Sequence, residues 1–248
     1  MVILNWLNEE YIRLLVNGLF LTIWLTGVTT LISLVLGVWI GTLKLTSYKV
    51  IRQLVTIYIE IHRNVPALVL IIFWAFAFPN IFPLEIRKVI FFNNSIINQI
   101  SNWTGLSIPY YTLSVGLALT LNTSAYIAKL FLAGVGTIHQ EHIDASRTLG
   151  APKSILLRRI IIPQGLRVAF PTISTRLIHN MKNTALAAFV ATPEFFHSVQ
   201  STISRSFRAV ELLILAAVIY MGISFAFSSV LRWIERILNQ QSLVTQNG

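Results

Sequence analysis

The chain has 248 residues, of which 55% are hydrophobic and only 11% are charged, less than half the charged share of roughly 25% in soluble proteins. This composition excludes an ordinary soluble domain, and the absence of cysteine excludes disulfide bonds, thiolate nucleophiles and cysteine metal sites. The net charge is +10, but the basic residues lie mostly at the ends of apolar runs, as at the cytoplasmic ends of membrane helices, and not in a nucleic-acid-binding pattern.

Several apolar stretches reach the roughly 20 residues that a bilayer-spanning helix needs. The sequence therefore predicts an all-α integral membrane protein, one transmembrane domain over 1–248 with about five transmembrane helices. These helices are expected at about 16–43, 65–84, 111–136, 168–192 and 210–231. Gly37 and Gly41 form a G-x-x-x-G pattern in the first of them, which is typical of close helix packing. Asparagines, Gly105 and Pro109 interrupt the uncharged residues 89–110, where we expect a loop outside the membrane.

The fourth predicted span is more polar than the others. It contains Arg176, His179 and Lys182, which are three residues apart and therefore share one helix face. Charged residues within a span usually face a bundle interior or a water-filled path. The alternative is a helix that lies partly at the membrane interface.

Basic residues are distributed unequally between the two sides of the predicted topology. Segments 44–63 and 137–167 and the C-terminal tail contain eleven lysines and arginines, against five on the other side. The positive-inside rule places these segments in the cytoplasm. The N-terminus is then outside and the C-terminus is cytoplasmic.

Residues 137–167 are unusually polar for a connection between membrane helices. Gln140–Thr148 is predicted to form a short helix, and Gly150 suits the position that follows a helix end. Pro152 suits the first turn of a second short helix, and Pro163 is expected to end that helix. Such a hairpin can dock in the groove of a partner protein or lie on anionic lipid. Periodicity alone does not decide between these uses.

The residues of this segment resemble the EAA loop of ABC-importer permeases. The matching positions are Asp144, Ala145, Ser146, Gly150, Ile160 and Pro163. The spacing agrees throughout, although Asp144 replaces the glutamate of the pattern, Ser146 replaces its second alanine and Ile162 replaces its leucine. Three further blocks resemble the polar amino-acid subfamily of these permeases: YIEIHRNVP at 58–66, AYIA at 125–128 and KNTAL at 182–186.

This resemblance implies a fold, a function and a set of partners. The fold is the core of a type I ABC-importer permease in the bacterial plasma (inner) membrane. Two permeases pair, an external binding protein delivers an amino acid, and the loop docks in a groove of a cytoplasmic ATPase that binds ATP and Mg²⁺. The chain itself would bind no cofactor. The residues expected to couple the ATPase to transport are Glu141, Asp144, Ala145, Ser146, Gly150, Ile160 and Pro163.

Other classes of protein are less consistent with the sequence. The chain has no G-x-x-x-x-G-K-[ST] phosphate-binding loop and no H-E-x-x-H or G-x-S-x-G motif, so we expect it not to be an enzyme. His139 and His142 have the spacing of a metal pair, but no third ligand is evident and no metal site is predicted. A membrane scaffold that only holds an ATPase remains open as an alternative to a transport subunit.

Polar residues in or beside the predicted spans are candidates for the translocation path or for contact with the solute. They are Arg63, Asn64, Pro66, Asn122, Lys129, Lys182 and Thr184. Lys129 stands where the family has glutamate, and it can attract a solute carboxylate, pair with an acid of the second permease, or extend to the interface. Its basic charge favours a heterodimer of permeases over a homodimer.

Overall fold

The computed structural model describes residues 8–92, 94–105, 108–148 and 150–246, and within these ranges every regular element is helical. The all-α prediction is therefore confirmed. The α-helices, in chain order, are α1 (Glu9–Lys44), α2 (Lys49–Asn64), α3 (Ala67–Ile72), α4 (Leu84–Arg87), α5 (Ser95–Thr104), α6 (Tyr110–Gly136), α7 (Gln140–Thr148), α8 (Lys153–Ile155), α9 (Ile162–Asn183), α10 (Phe195–Ser206) and α11 (Ala209–Gln246). Wider π-helical turns follow α3, α4 and α8, at Phe73–Ala77, Lys88–Phe92 and Leu156–Ile161, and 3-10 turns occupy Pro79–Ile81 and Thr184–Val190.

Three of the described helices are long and apolar enough to cross a membrane: α1, α6 and the part of α11 over Ala209–Leu238. The helical stretch Ala67–Ile81, together with α2, reaches that length only as a bent pair. The break falls at Val65 and Pro66 because a residue before proline avoids the helical conformation and proline lacks an N–H to donate. The span predicted at 168–192 overlaps the more polar α9 and stays a prediction.

The segment between the second and third predicted spans contains helix. Within residues 89–110, where a loop outside the membrane is expected, α5 occupies Ser95–Thr104. Isoleucines at positions 96, 97 and 100 have the spacing of one helix face, and polar residues occupy the positions around them, a pattern that supports an amphipathic helix.

The described chain divides into two compact units. The first comprises the residues up to Thr30, Val65–Leu121 and Asn180–Ser224. The second comprises Leu31–Asn64, Asn122–His179 and the residues from Phe225 onward.

Two apolar clusters form the core of the first unit. One joins α1, α3, α6 and the turn after α9 through the buried residues Leu25, Ile71, Leu119 and Ala187. The other joins α1, α10 and α11 through Leu15, Phe195, Val199 and Leu212.

The second unit is also built on two clusters. One contains Ile127 of α6, Leu231 of α11 and three residues of α9: Ala169, Ile173 and Leu177. The other joins α1, α2 and α6 through Ile40, Val55, Ile59 and Ala128. Gly37 allows α1 to pack closely on α6, because a Cβ at this position would lie 2.6 Å from the Ile127 Cβ and 2.8 Å from the Ser124 carbonyl oxygen. The close packing predicted from the G-x-x-x-G pattern is therefore present.

Candidate functional site

The segment predicted to couple transport to an ATPase forms a helical hairpin. Glu141 and Asp144 lie three residues apart on α7, and both are exposed. The Asp144 carbonyl oxygen accepts a hydrogen bond of 2.9 Å from the Thr148 hydroxyl. Ser146 is half-buried, and the side chain of Ala145 lies outside the described residues. Exposure of two carboxylates on one helix is compatible with contact to a basic partner surface.

The turn after α7 has the geometry that glycine favours. Gly150 has a φ of +78°, in the left-handed region. The Ala151 N–H donates to the Ser146 carbonyl oxygen at 3.1 Å, which is the long-range bond of a Schellman helix end. The backbone conformation therefore agrees with the placement of Gly150 directly after a helix.

The prediction that Pro163 ends the second helix of the hairpin is wrong. The helix continues from α8 through the π-helical turn Leu156–Ile161 into α9, and the exposed Pro163 is the second residue of α9. The wide turn changes the hydrogen-bond register immediately before the proline, so that neither its missing N–H nor its ring breaks the helix. Ile160 is half-buried in that turn. As a consequence, the hairpin is joined to α9 by unbroken helix.

A polar cluster lies in the second unit where α2, α6 and α9 meet. Arg176 of α9 donates through Nη2 to the Asn122 Oδ1 of α6. The Asn122 Nδ2 donates in turn to the His62 carbonyl oxygen at 2.5 Å. The Tyr126 hydroxyl, one turn further along α6, donates to the Arg63 carbonyl oxygen at 3.1 Å. These bonds attach the last turn of α2 to the other two helices.

Two guanidinium groups contact the ring of Tyr126. The Arg176 Cζ lies 3.9 Å from the ring centroid and the Arg63 Cζ lies 5.3 Å from it, both within the range of a cation–π interaction. Asn122 is 3% exposed, and both arginine Nε atoms are buried without a hydrogen-bond partner. Arg63 lies 3.8 Å from a carboxylate oxygen of Glu60. Two arginine Nε donors of the cluster are therefore unused.

The cluster contains two of the predicted path residues and adds two others. Arg63 and Asn122 were predicted, whereas Tyr126 and Arg176 were not selected as site residues. The three-residue spacing of Arg176, His179 and Lys182 indicated a polar face. However, only the fold shows that Arg176 of this face meets α6.

The remaining predicted path residues lie elsewhere. Asn64 is exposed and donates to a Glu60 carboxylate oxygen at 3.2 Å, and Lys129 is exposed on α6. Pro66, Lys182 and Thr184 belong to the first unit. Lys182 is exposed there, while the buried Thr184 hydroxyl donates to the Met181 carbonyl oxygen at 2.6 Å.

A buried carboxylate organises the first unit. Glu194 is fully buried and caps α10 by accepting from the backbone N–H groups of His197 at 2.7 Å and Phe196 at 2.9 Å. The hydroxyls of Tyr220 on α11 and Thr22 on α1 donate to it at 3.1 Å and 3.3 Å. Four donors thus surround this carboxylate and hold three helices together.

Residues 14–240 match the family described as "binding-protein-dependent transport system inner membrane component". The chain belongs to this family.

Similar proteins are permeases of amino-acid transporters. The chain is 28% identical to the probable glutamine ABC transporter permease protein GlnP of Bacillus subtilis over 92% of this chain and 95% of that protein. It is also 28% identical to the histidine/lysine/arginine/ornithine transport system permease protein HisM of Escherichia coli over 89% and 87%. A crystal structure of an amino acid ABC transporter with histidines matches with a TM-score of 0.70 and 26% identity, over 92% of this chain and 95% of that one.

A more distant structure shows the same fold. The MetNI methionine ABC transporter in an inward-facing conformation matches with a TM-score of 0.64 and 19% identity, over 92% of this chain and 99% of that one. The type I ABC permease fold implied by the sequence resemblance is confirmed.

Proposed function

We propose that this chain is the permease subunit of an ATP-driven importer and forms half of the translocation path for amino acids delivered by an external binding protein. The match to the binding-protein-dependent family over residues 14–240 carries this proposal. The names of the relatives, which are permeases for glutamine or for basic amino acids, support amino acids as the solute class.

The coupling of ATP hydrolysis to transport is assigned to α7 and the turn at Gly150. Glu141 and Asp144 present exposed carboxylates to a cytoplasmic ATPase, which binds ATP and Mg²⁺, whereas this chain is not itself catalytic. A displacement of the hairpin reaches α9 because helix continues without a break from Lys153. The distance along α9 from Pro163 to Arg176 is about 20 Å at 1.5 Å per residue, so movement at the hairpin can shift the polar cluster.

The other partners are a second permease and an external binding protein. A heterodimer is favoured because Lys129 introduces a basic charge on α6 where the family pattern has glutamate. The proposed orientation has the N-terminus outside and the hairpin in the cytoplasm. Because the chain has no cysteine, single cysteine substitutions test this orientation directly. Asp144→Cys should react with a membrane-impermeant maleimide only from the cytoplasmic side. Glu85→Cys should react only from the external side.

The decisive experiment is purification of the tagged chain from its own cells in mild detergent, with and without Asp144→Arg. The wild type should retain an ATPase subunit that the variant loses. Glu85→Arg makes the same charge change at an exposed residue of the opposite predicted side, and it should retain the ATPase.

Uptake into vesicles distinguishes transport from scaffolding. ATP-driven amino-acid uptake by the wild-type complex supports the proposal, whereas a complex that assembles and hydrolyses ATP without uptake of any amino acid would identify a scaffold. Retention of the ATPase by Asp144→Arg would refute the assignment of the coupling segment.

A further inference from the structure

Arg176 carries a charge that the second unit only partly satisfies. Its Nη2 donates to Asn122 and its guanidinium group stacks on Tyr126, but its Nε is buried without a hydrogen-bond partner. Among the described residues, no carboxylate lies within ion-pair distance of this guanidinium. A guanidinium has five N–H donors, and one amide oxygen and one ring cannot use them all.

Arg63 repeats this condition at the same ring. Its guanidinium group lies 5.3 Å from the Tyr126 centroid, and its Nε is also buried without a partner. Its carboxylate neighbour, Glu60, is 3.8 Å away and half exposed, too far for a short charge-assisted hydrogen bond. With two arginines and one glutamate, the cluster has a net charge of +1.

The two side chains that contact the Arg176 guanidinium are themselves held in place by hydrogen bonds. Asn122 is held by the His62 carbonyl at 2.5 Å and Tyr126 by the Arg63 carbonyl at 3.1 Å. Arg176 is half-buried and has no counter-ion among the described residues, which is costly in a membrane protein, and a planar guanidinium is well suited to a carboxylate. The geometry therefore calls for a carboxylate ligand.

We propose that Arg176 and Arg63 form a carboxylate-binding site for the transported solute, and that its net positive charge selects amino acids with an acidic side chain. This inference rests on the proposed function, because the solute is the ligand only if the chain is a permease. An acidic amino acid has a net charge of −1 at neutral pH and neutralises the cluster. A basic amino acid adds a further positive charge and is disfavoured.

The test measures binding to the purified transporter complex without its external binding protein, so that the specificity of that protein does not intervene. L-glutamate and L-glutamine have nearly the same shape and differ in charge. A ligand that binds the folded state raises the unfolding temperature in proportion to the logarithm of its concentration. We expect protection by L-glutamate at concentrations at least about tenfold lower than by L-glutamine, and none by L-arginine.

The Arg176→Gln variant should lose this preference, with L-glutamate bound about 10- to 100-fold more weakly. Arg205→Gln is the matched control: it removes the same charge from an exposed arginine of the first unit, which pairs with Glu10 at 2.6 Å, and should keep the preference. If Arg176→Gln does not assemble, Arg176→Lys takes its place. Lysine keeps the charge but lacks the planar fork, so we expect the preference to persist with about tenfold weaker binding.

Two results would overturn the inference. The first is an unchanged preference for L-glutamate in Arg176→Gln. The second is a combination of two observations: no amino acid protects the wild-type complex, and Arg176→Gln no longer retains its second permease. The carboxylate that pairs with Arg176 would then belong to that second permease. Failure of the proposed function is a separate observation, namely no ATP-driven uptake of any amino acid by the wild type.

Discussion

Close packing of α1 against α6 gives a sharp prediction at Gly37. In Gly37→Ala, the added Cβ would lie 2.6 Å from the Ile127 Cβ and 2.8 Å from the Ser124 carbonyl oxygen. Neither atom is the far end of a flexible side chain, so the two helices must separate. Overpacking of this kind costs about 1–3 kcal/mol, and the severity of both contacts places Gly37→Ala near the upper end of that range.

Gly27 provides a matched control on the same helix, because a Cβ there meets no atom within 4 Å. Gly27→Ala should be neutral or stabilising by up to about 1 kcal/mol, since alanine has the higher helix propensity. The same gain in helix propensity applies to Gly37→Ala. The two variants should therefore differ in unfolding free energy by about 2–3 kcal/mol.

Thermal unfolding of the complex in detergent measures this difference. We expect the Tm of Gly37→Ala to be roughly 5–10 °C below that of Gly27→Ala, using about 2–4 °C per kcal/mol for a chain of this size. Equal Tm values would refute the close approach of α1 and α6 in the second unit.

Three further perturbations test other parts of the chain. Glu194→Ala should destabilise the complex by about 3–5 kcal/mol, because it removes a helix cap and leaves buried donors unpaired. Tyr220→Phe, which removes only one of those donors, should cost about 1–2 kcal/mol. Thermal unfolding in detergent measures both variants, and a neutral Glu194→Ala would contradict the burial of this carboxylate. The exposed pair of Glu10 and Arg205 should contribute less than about 1 kcal/mol in a double-mutant cycle and lose most of that in 1 M salt. Gly150→Val forces a β-branched residue into a left-handed backbone and should reduce uptake while membrane levels stay normal in an immunoblot; normal uptake would argue against the coupling assignment.

Prediction from the sequence succeeded for features that depend on one helix alone. Apolar length was sufficient to place α1, α6 and α11, and Pro66 was sufficient to place the start of the helix that follows it. Pro163 was misjudged because its effect depends on the hydrogen-bond register of the preceding turn. A π-helical turn at Leu156–Ile161 leaves no signature as clear as the proline itself.

The polar cluster could be predicted only in part, because it requires three helices to meet. Arg63 was predicted because residues 58–66 resemble a motif of the permease family. Asn122 was predicted because it is a polar residue within an apolar span. Nothing local indicates that Arg176, more than 50 positions from Asn122, donates to its side chain, or that Tyr126 lies beneath two arginines. Contacts across such separations depend on how helices pack, and apolar patterning sets this only coarsely.

The buried Glu194 and the half-buried Arg176 show how hydrogen bonding separates a structural role from a binding role. Glu194 accepts from four donors within its own unit, so its acceptor oxygens are already used and a ligand would have to displace protein groups. Arg176 has one amide acceptor and one ring, and its Nε has no partner. An unsatisfied buried donor has a free-energy cost, and a ligand that supplies the missing acceptor recovers that cost. For this reason the solute site is assigned to Arg176, and Glu194 is assigned to holding the helices of the first unit together.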